Sequence, residues 1–231
     1  MCGRYASSRR PEELVSHFQL GAPPSQVLAP SYNIAPTTAV YVVLQGAAHR
    51  ELRVVRWGLV PSWAKDTKGA ARYINARAET VATTPAFRSA YRRRRCLVPA
   101  DGYYEWQAGA GRKQPYFLSA LGGAPLAMAG LYEVWTPAEG QGEPLWTCTV
   151  VTTAAADEHA AIHHRTPLLV RPEHWASWLD PEQPAPTELL VPGRPGELQA
   201  WPVGPAVGNV RNNAPALLAP VELDPDPPVL L

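Results

Sequence analysis

The segment CLVPADGYYEW, which runs from Cys96 to Trp106, decides the fold class of this chain. It contains two short runs rich in apolar and aromatic residues, Cys96–Val98 and Tyr103–Trp106, and both are typical of β-strands. Because the strand patterns here do not alternate strictly with helical ones, a doubly wound parallel sheet does not fit. We expect an α+β domain with a curved, largely antiparallel, barrel-like sheet and short helices. Further runs of the same kind follow at Tyr116–Ser119, Leu126–Leu131 and Trp146–Thr153.

Upstream of this segment, the patterns predict a first helix and a hairpin. Residues 10–21 are expected to be helical, since Pro11 suits a first turn and Gly21 provides a stop. Two strands joined by a turn at Gly46 form the predicted hairpin, Ala39–Gln45 and Glu51–Trp57. Other helical segments are predicted from Thr84 to Arg95, over Asp157–Ile162 and over Pro172–Leu179.

Composition indicates one globular domain. The chain has 231 residues, 46% of them hydrophobic and 18% charged, so it can bury a substantial core. The 26 prolines and 17 glycines favour many short elements. We expect a single domain over residues 1–221 and a flexible tail over residues 222–231, with fraying from Ala219 onward.

The cysteine count and the hydropathy pattern limit the compartment and the cofactors. Three cysteines, Cys2, Cys96 and Cys148, are too few for a disulfide framework, and no apolar run is long enough for a membrane helix. No cysteine lies in a pattern typical of a zinc site, so we expect no metal and no cofactor. Cys96 and Cys148 lie in apolar strand patterns and are expected in the core. The predicted location is cytoplasmic.

Cys2 carries the most distinctive chemistry in the sequence. A small side chain at this position permits removal of Met1, which leaves an amine and a thiol on adjacent carbons. Their reference pKa values are about 7.7–8.0 and about 8.5, so both nucleophiles are partly active near neutral pH. The pair can attack an acyl carbon, as in N-terminal nucleophile hydrolases, or close a thiazolidine ring with an aldehyde. The third interpretation is that a cysteine occurs at position 2 by chance and has no function there.

Three other motifs contain groups suited to acid–base chemistry. Asn75, Arg77 and Glu79 alternate, so they share one face if the segment is a strand. Glu105 lies among aromatic residues, which favour a raised pKa and a general acid, although a buried ion pair with an arginine is equally compatible. His163 is a candidate acid or base, or else a cap at a helix end.

A basic run and neighbouring aromatic residues point to nucleic acid. Arg92–Arg95 is the densest charge in the chain, and Phe87 and Arg88 lie just before it. Arginines interleaved with aromatic side chains suit a groove for a single strand, in which bases stack and phosphates pair. The alternative is a solvated basic face, with Trp57 and Trp63 in the core. Because the net charge is only +1, affinity for nucleic acid has to come from a local patch.

Taken together and in this order, the motifs resemble the SOS response-associated peptidase (SRAP) family. The resemblance extends from Met1 to about Val221, and the ordered combination is far more specific than any single motif. Thr166 stands where many relatives carry methionine or another residue, and Ala64 stands where some relatives have a second aromatic residue. The motifs are MCGRY at 1–5, YNIAPT at 32–37, WGLVPSW at 57–63, INARAET at 74–80, ADGYYEW at 100–106, VTTAAA at 151–156, IHHRTP at 162–167 and VGNVRN at 207–212.

The resemblance implies a single SRAP-like domain that senses abasic sites in single-stranded DNA. The Cys2 amine would attack C1′ of the opened sugar, and its thiol would close a thiazolidine crosslink that shields the lesion. Asn75 would hold the sugar and the Cys2 backbone, Glu105 would shuttle protons, and His163 would promote ring opening and later reversal. The same resemblance implies DNA contacts by Arg4, Asn33, Trp63, Arg77, Phe87 and Arg88.

The expected partner is therefore single-stranded DNA that contains abasic sites. The protein is expected to act as a monomer and not to bind a membrane. When it is bound to DNA, it is expected to associate with the nucleoid. Two other functions remain open. One is an N-terminal nucleophile peptidase or amidohydrolase, which includes self-processing, and the other is a non-covalent single-stranded DNA-binding module in which Cys2 is incidental.

Overall fold

The computed structural model describes residues 2–109, 112–138, 142–155, 157–193 and 196–223, which form twelve strands and three α-helices. None of the helices in these ranges has the length and apolar character needed to span a bilayer. The helices are α1 Pro11–Phe18, α2 Arg88–Arg93 and α3 Trp175–Leu179. The strands are β1 Tyr5–Ser7, β2 Ser31–Ile34, β3 Ala39–Gln45, β4 Arg50–Trp57, β5 Asn75–Arg77, β6 Arg95–Ala100, β7 Gly102–Gln107, β8 Gln114–Ala120, β9 Leu126–Trp135, β10 Leu145–Ala154, β11 Arg165–Pro167 and β12 Leu198–Pro202.

Five strands close into a barrel, which confirms the predicted fold class. Around the barrel, β10, β4, β3, β6 and β9 are hydrogen-bonded in that order, and β9 pairs back onto β10. Only the β10–β4 pair is parallel, and the other four pairs are antiparallel. A second sheet with the order β12–β8–β7–β1–β2 is antiparallel throughout.

Alternation along the strands sorts the core side chains into layers. In β3, Val40 and Val42 join a cluster that the barrel shares with the second sheet, whereas Tyr41 and Val43 join a cluster shared with the helices. Successive side chains of a strand point to opposite faces, so one strand serves both layers. A third cluster lies on the far face of the second sheet, where β7 and β8 pack on the segment 203–218.

Strand β10 organises the end of the barrel where the candidate site lies. Its residues Val150–Thr152 pair in parallel with β5, and Thr152–Ala154 pair antiparallel with β11. The strand therefore brings residues near position 75 and residues near position 165 to one edge of the molecule. Strand β7 lies in the second sheet beside β1, the strand that follows Cys2.

Several predicted boundaries are wrong. Helix α1 ends at Phe18, because Gln19 adopts the left-handed conformation (φ 53°) and Gly21 donates its N–H to Arg50 O instead. The predicted helix at Thr84 begins only at Arg88, and Arg95 belongs to strand β6 rather than to that helix. The segments predicted as helices at 157–162 and 172–179 are a 3₁₀ turn at Asp157–Ala161 and a 3₁₀ turn followed by α3.

The chain end is ordered further than the prediction of fraying from Ala219 allowed. Val221 N–H donates to Pro202 O, and Pro220 forms an isolated bridge with Val203. Residues 224–231 of the predicted tail lie outside the described residues.

Candidate active site

Cys2 lies at the edge of the cluster between the barrel and the second sheet. It is fully buried, and it directly precedes the short segment that leads into β1. Burial is the main cause that raises the pKa of the Cys2 thiol well above its usual range, and the nearby Glu105 carboxyl is the second. The thiol is therefore held in its neutral form at physiological pH.

Asn75 fixes the backbone of Cys2. As the first residue of β5, it is positioned by parallel pairing with Val150, and its Nδ2 donates a hydrogen bond to Cys2 O (2.8 Å). Its Oδ1 is buried without a hydrogen-bond partner among the described residues. A buried acceptor in that state is available to a donor from a bound molecule.

Glu105 projects from β7 on the same face as Tyr103, toward the cluster that contains Cys2. Only 4% of Glu105 is exposed. Burial raises the pKa of its carboxyl, because desolvation disfavours the charged form. The predicted raised pKa is thus confirmed in direction, and a group of this kind can donate a proton near neutral pH.

His163 lies opposite Glu105 on the segment between the 3₁₀ turn Asp157–Ala161 and β11. Its Nδ1 is 3.9 Å from Glu105 Oε1 and accepts a hydrogen bond from the backbone N–H of Arg165 (3.0 Å). Burial lowers the pKa of the His163 imidazole, so the neutral ring is favoured. The ring of His164 stacks on it at 4.4 Å between centroids.

Arg165, which belongs to the motif IHHRTP at 162–167, is a further site residue that the sequence patterns did not indicate. Its guanidinium makes two hydrogen bonds to the Glu79 carboxylate (2.5 and 3.0 Å) and one to Thr152 O (2.6 Å). This clamp joins β11 to the turn after β5 and so fixes the distance between His163 and Asn75. The interaction with Arg165 lowers the pKa of Glu79.

Half-buried Arg4 and buried Asn33 form one polar network with the segment 207–212. Arg4 Nη1 donates to Asn33 Oδ1 (2.8 Å) and to Val207 O (2.9 Å). Asn33 Nδ2 in turn donates to the carbonyls of Asn209 and Asn212 (3.0 and 2.9 Å). Asn33 is 5% exposed, so its amide holds Arg4 and the segment 207–212 together.

The predicted aromatic contacts divide into one exposed and one buried side chain. Trp63 is 63% exposed and lines a depression of about 170 Å³ with Lys65 and Arg72. Phe87 is buried and meets the Tyr73 ring edge-on at 5.8 Å. Trp63 is thus open to a stacking partner. Phe87 instead packs against Tyr73, which lines the same depression.

Two predicted cationic DNA-contact residues are exposed. Arg77 is the last residue of β5, and Arg88 is the first residue of α2. The described residues contain no group of three or more histidine, cysteine, aspartate or glutamate side chains that could hold a metal ion. Cys96 and Cys148 are free thiols in the core, as expected.

The fold brings together the four predicted catalytic residues, Cys2, Asn75, Glu105 and His163. An amide bound to the backbone of Cys2, a buried carboxyl with a raised pKa and a neutral imidazole lie around one potential double nucleophile. Two hydroxyl residues, Tyr103 and Thr166, also lie beside Glu105. No sequence signal indicated Tyr103 as a site residue, since its pattern is that of a core aromatic side chain.

Comparison with known proteins gives consistent matches over nearly the whole chain. The family model described as SOS response associated peptidase (SRAP) matches residues 1–210. "Abasic site processing protein YoaM" of Bacillus subtilis is 36% identical over 223 residues, which cover 94% of this chain and 97% of that protein. "Abasic site processing protein YedK" of Escherichia coli is 34% identical over 229 residues, which cover 96% and 100%.

Solved structures show the same architecture. A crystal structure of a protein from Bacteroides thetaiotaomicron superposes with a TM-score of 0.85 at 23% identity, covering 96% of this chain and all of that one. The likeness of folds and the family match agree with the order of motifs in the sequence. The chain therefore belongs to the SOS response-associated peptidase (SRAP) family.

Proposed function

We propose that this protein processes abasic sites in single-stranded DNA by forming a covalent thiazolidine crosslink through Cys2 after removal of Met1. The observation that carries the proposal is the grouping of the Cys2 backbone, held by Asn75 Nδ2 at 2.8 Å, with the buried carboxyl of Glu105 and with His163. Both relatives described above are named abasic site processing proteins. The protein acts as a monomer in the cytoplasm, at the nucleoid when it is bound to DNA.

The first step is attack by the amine. The abasic sugar opens to an aldehyde, and neutral His163 is suited to move the proton of the hemiacetal hydroxyl. The Cys2 amine nitrogen then bonds to C1′, and the carbonyl oxygen becomes a hydroxyl. Because the thiol pKa is raised, the amine is the stronger candidate for this first attack.

The second step expels water and closes the ring. Glu105, a carboxyl with a raised pKa, donates a proton to the C1′ hydroxyl, so water leaves and a protonated imine forms. The Cys2 sulfur then bonds to C1′ while its proton passes to the Glu105 carboxylate. Glu105 thereby regains its proton, and the product is a thiazolidine that links protein to DNA.

Single-stranded DNA fits the surroundings of the site. Exposed Trp63 offers a stacking face, and exposed Arg77 and Arg88 offer charges for phosphates. Arg4 completes the proposed DNA cleft. Asn33 holds Arg4 by a hydrogen bond, and Phe87 supports the wall of the cleft by packing against Tyr73.

The test mixes mature protein with an oligonucleotide that carries one abasic site and separates the products on a denaturing gel. We expect a slow band that needs both the lesion and Cys2, and intact mass without Met1. Cys2→Ala is the control variant, and it is expected to give a band only when borohydride traps the imine. Intact DNA and duplex abasic DNA are the control substrates. Absence of the band with Met1 removed would contradict the proposal and favour the peptidase or the simple binding function.

A further inference from the structure

Two hydroxyl groups meet beside the catalytic carboxyl. Tyr103 Oη and Thr166 Oγ1 lie 2.8 Å apart and share a hydrogen bond, although one residue is on β7 and the other on β11. Tyr103 is 1% exposed and belongs to the same buried cluster as Cys2. Tyr103 and Glu105 are two positions apart on β7, so their side chains share a face.

These hydroxyls line a small cavity together with Glu105 and His163. Its volume is about 10 Å³, close to the space that one water molecule needs. Leu118 and Ile162 form apolar wall. A buried water is stable only with two to four polar partners, and the two hydroxyls and the Glu105 carboxyl supply that number.

We propose that this cavity holds the water molecule that leaves C1′ when the imine forms and that returns to C1′ when the crosslink is hydrolysed. Tyr103 and Thr166 are then positioning residues, because they act through the water. The inference rests on the proposed function and adds to it the path of the water. The hydroxyl pair matters because a water held only by Glu105 would not be oriented.

Hydrolysis opens the thiazolidine ring first, and water attacks afterwards. The C1′–S bond breaks, Glu105 gives its proton to the sulfur, and the nitrogen lone pair forms the C=N bond. The water oxygen then bonds to C1′ while Glu105 accepts one water proton. Finally the C–N bond breaks, Glu105 gives its proton to the nitrogen, and the hydroxyl proton passes to the Glu105 carboxylate as the aldehyde forms. One water is consumed, and the amine and the thiol are regenerated.

The forward and the reverse reactions share one transition state for the departure or entry of water. Any variant that disturbs only the water therefore slows both directions by the same factor and leaves the equilibrium fraction of crosslink unchanged. A variant that merely loosened the fold would instead change DNA binding or the final yield. This difference separates a positioning role from a structural one.

The experiment measures both rates for the wild-type protein and for Tyr103→Phe and Thr166→Val. Formation is followed on a denaturing gel, and hydrolysis is followed by chasing the labelled crosslink with excess unlabelled abasic oligonucleotide. We expect both rates to fall about tenfold in each variant, the size expected for one lost hydrogen bond. The yield at equilibrium should stay at the wild-type level.

Matched variants control for the loss of a hydroxyl as such. Tyr104→Phe removes a hydroxyl from the neighbouring residue of β7, whose side chain faces the opposite layer and donates to Tyr32 O (2.7 Å). It should leave both rates unchanged. Thr166→Ser keeps the hydroxyl and should restore most of the rate that Thr166→Val loses.

Each outcome bears on one proposal. Wild-type rates in both Tyr103→Phe and Thr166→Val would overturn the water site while the crosslink itself stands. Equal slowing in Tyr104→Phe, or a changed yield, would also overturn it in favour of a structural role. A wild-type protein that forms no crosslink would refute the proposed function instead.

Discussion

At the residue scale, burial assigns different roles to the groups around Cys2. The thiol has a raised pKa and stays neutral, whereas the raised pKa of the Glu105 carboxyl lets it hold its proton to a higher pH than a solvated carboxyl does. His163 has a lowered pKa and stays neutral. The same physical cause, loss of hydration, thus favours the uncharged forms of an acid and a base that lie side by side.

The pH dependence of crosslinking tests the assignment of Glu105. The amine must be neutral, so the rate rises with pH at first. As pH rises through the raised pKa of Glu105, the carboxyl loses its proton, the acid disappears and the rate falls. We therefore expect a bell-shaped profile in single-turnover gel assays.

Glu105→Gln keeps the shape of the side chain but removes its proton transfer. It should slow crosslinking by about 100-fold and abolish the falling alkaline limb. An unchanged alkaline limb in this variant would show that another group supplies the proton.

At the element scale, Arg95 joins two helices to the barrel. Although it ends a run of four arginines, it is only 2% exposed. Its guanidinium donates to the carbonyls of Tyr91 (2.9 Å) and Trp178 (2.6 Å), and also to that of Asp180. It therefore satisfies carbonyls near the C-terminal ends of α2 and α3, where cations are favourable.

Arg95→Met should lower the free energy of unfolding by about 3 kcal/mol, because several buried carbonyls lose their donor. Urea unfolding measures the change. Arg93→Met is the matched control, since this exposed arginine lies in the same run and its loss should change stability by less than about 0.5 kcal/mol. Equal effects of the two substitutions would contradict the role of Arg95.

Strand β10 shows at the same scale why short strands are difficult to predict. The strands β5 and β11 have three residues each, and neither has enough residues to show a period of two. They exist because β10 offers them hydrogen-bonding partners at its end. The long strands of the barrel were predicted because their apolar runs are visible locally.

At the scale of the whole molecule, net charge says little about DNA binding. The chain carries a net charge of only +1, so affinity depends on where exposed arginines lie. Arg77 and Arg88 are exposed, while Arg95 is buried and Arg165 is clamped by Glu79. Only part of the arginine content is therefore open to phosphates.

Salt dependence of DNA binding tests this distribution. Arg77→Ala and Arg88→Ala should each weaken binding and reduce the slope of log affinity against log salt by about 1, since each loses one phosphate contact. Fluorescence anisotropy with a single-stranded oligonucleotide at several salt concentrations gives the slope. Arg10→Ala, just before α1, is the control and should leave the slope unchanged. A slope that stays the same in all three variants would place the DNA elsewhere.

The amino-acid sequence was sufficient to predict the fold class, the chemistry available at Cys2 and the residue types around it. These properties are local, since strand patterns, a small second residue and a glutamate among aromatic residues can each be recognised within a few positions. The family resemblance was equally visible as an order of short motifs.

How these groups are arranged around Cys2 depends on contacts between distant parts of the chain. Asn75 reaches Cys2 O because β5 pairs with β10, and Glu105 faces His163 because β7 of the second sheet lies against the segment before β11. Burial of Arg95 and the hydroxyl contact between Tyr103 and Thr166 also join distant parts of the chain. Such contacts depend on strand pairing between residues far apart in sequence, and local patterns do not specify which strands will pair.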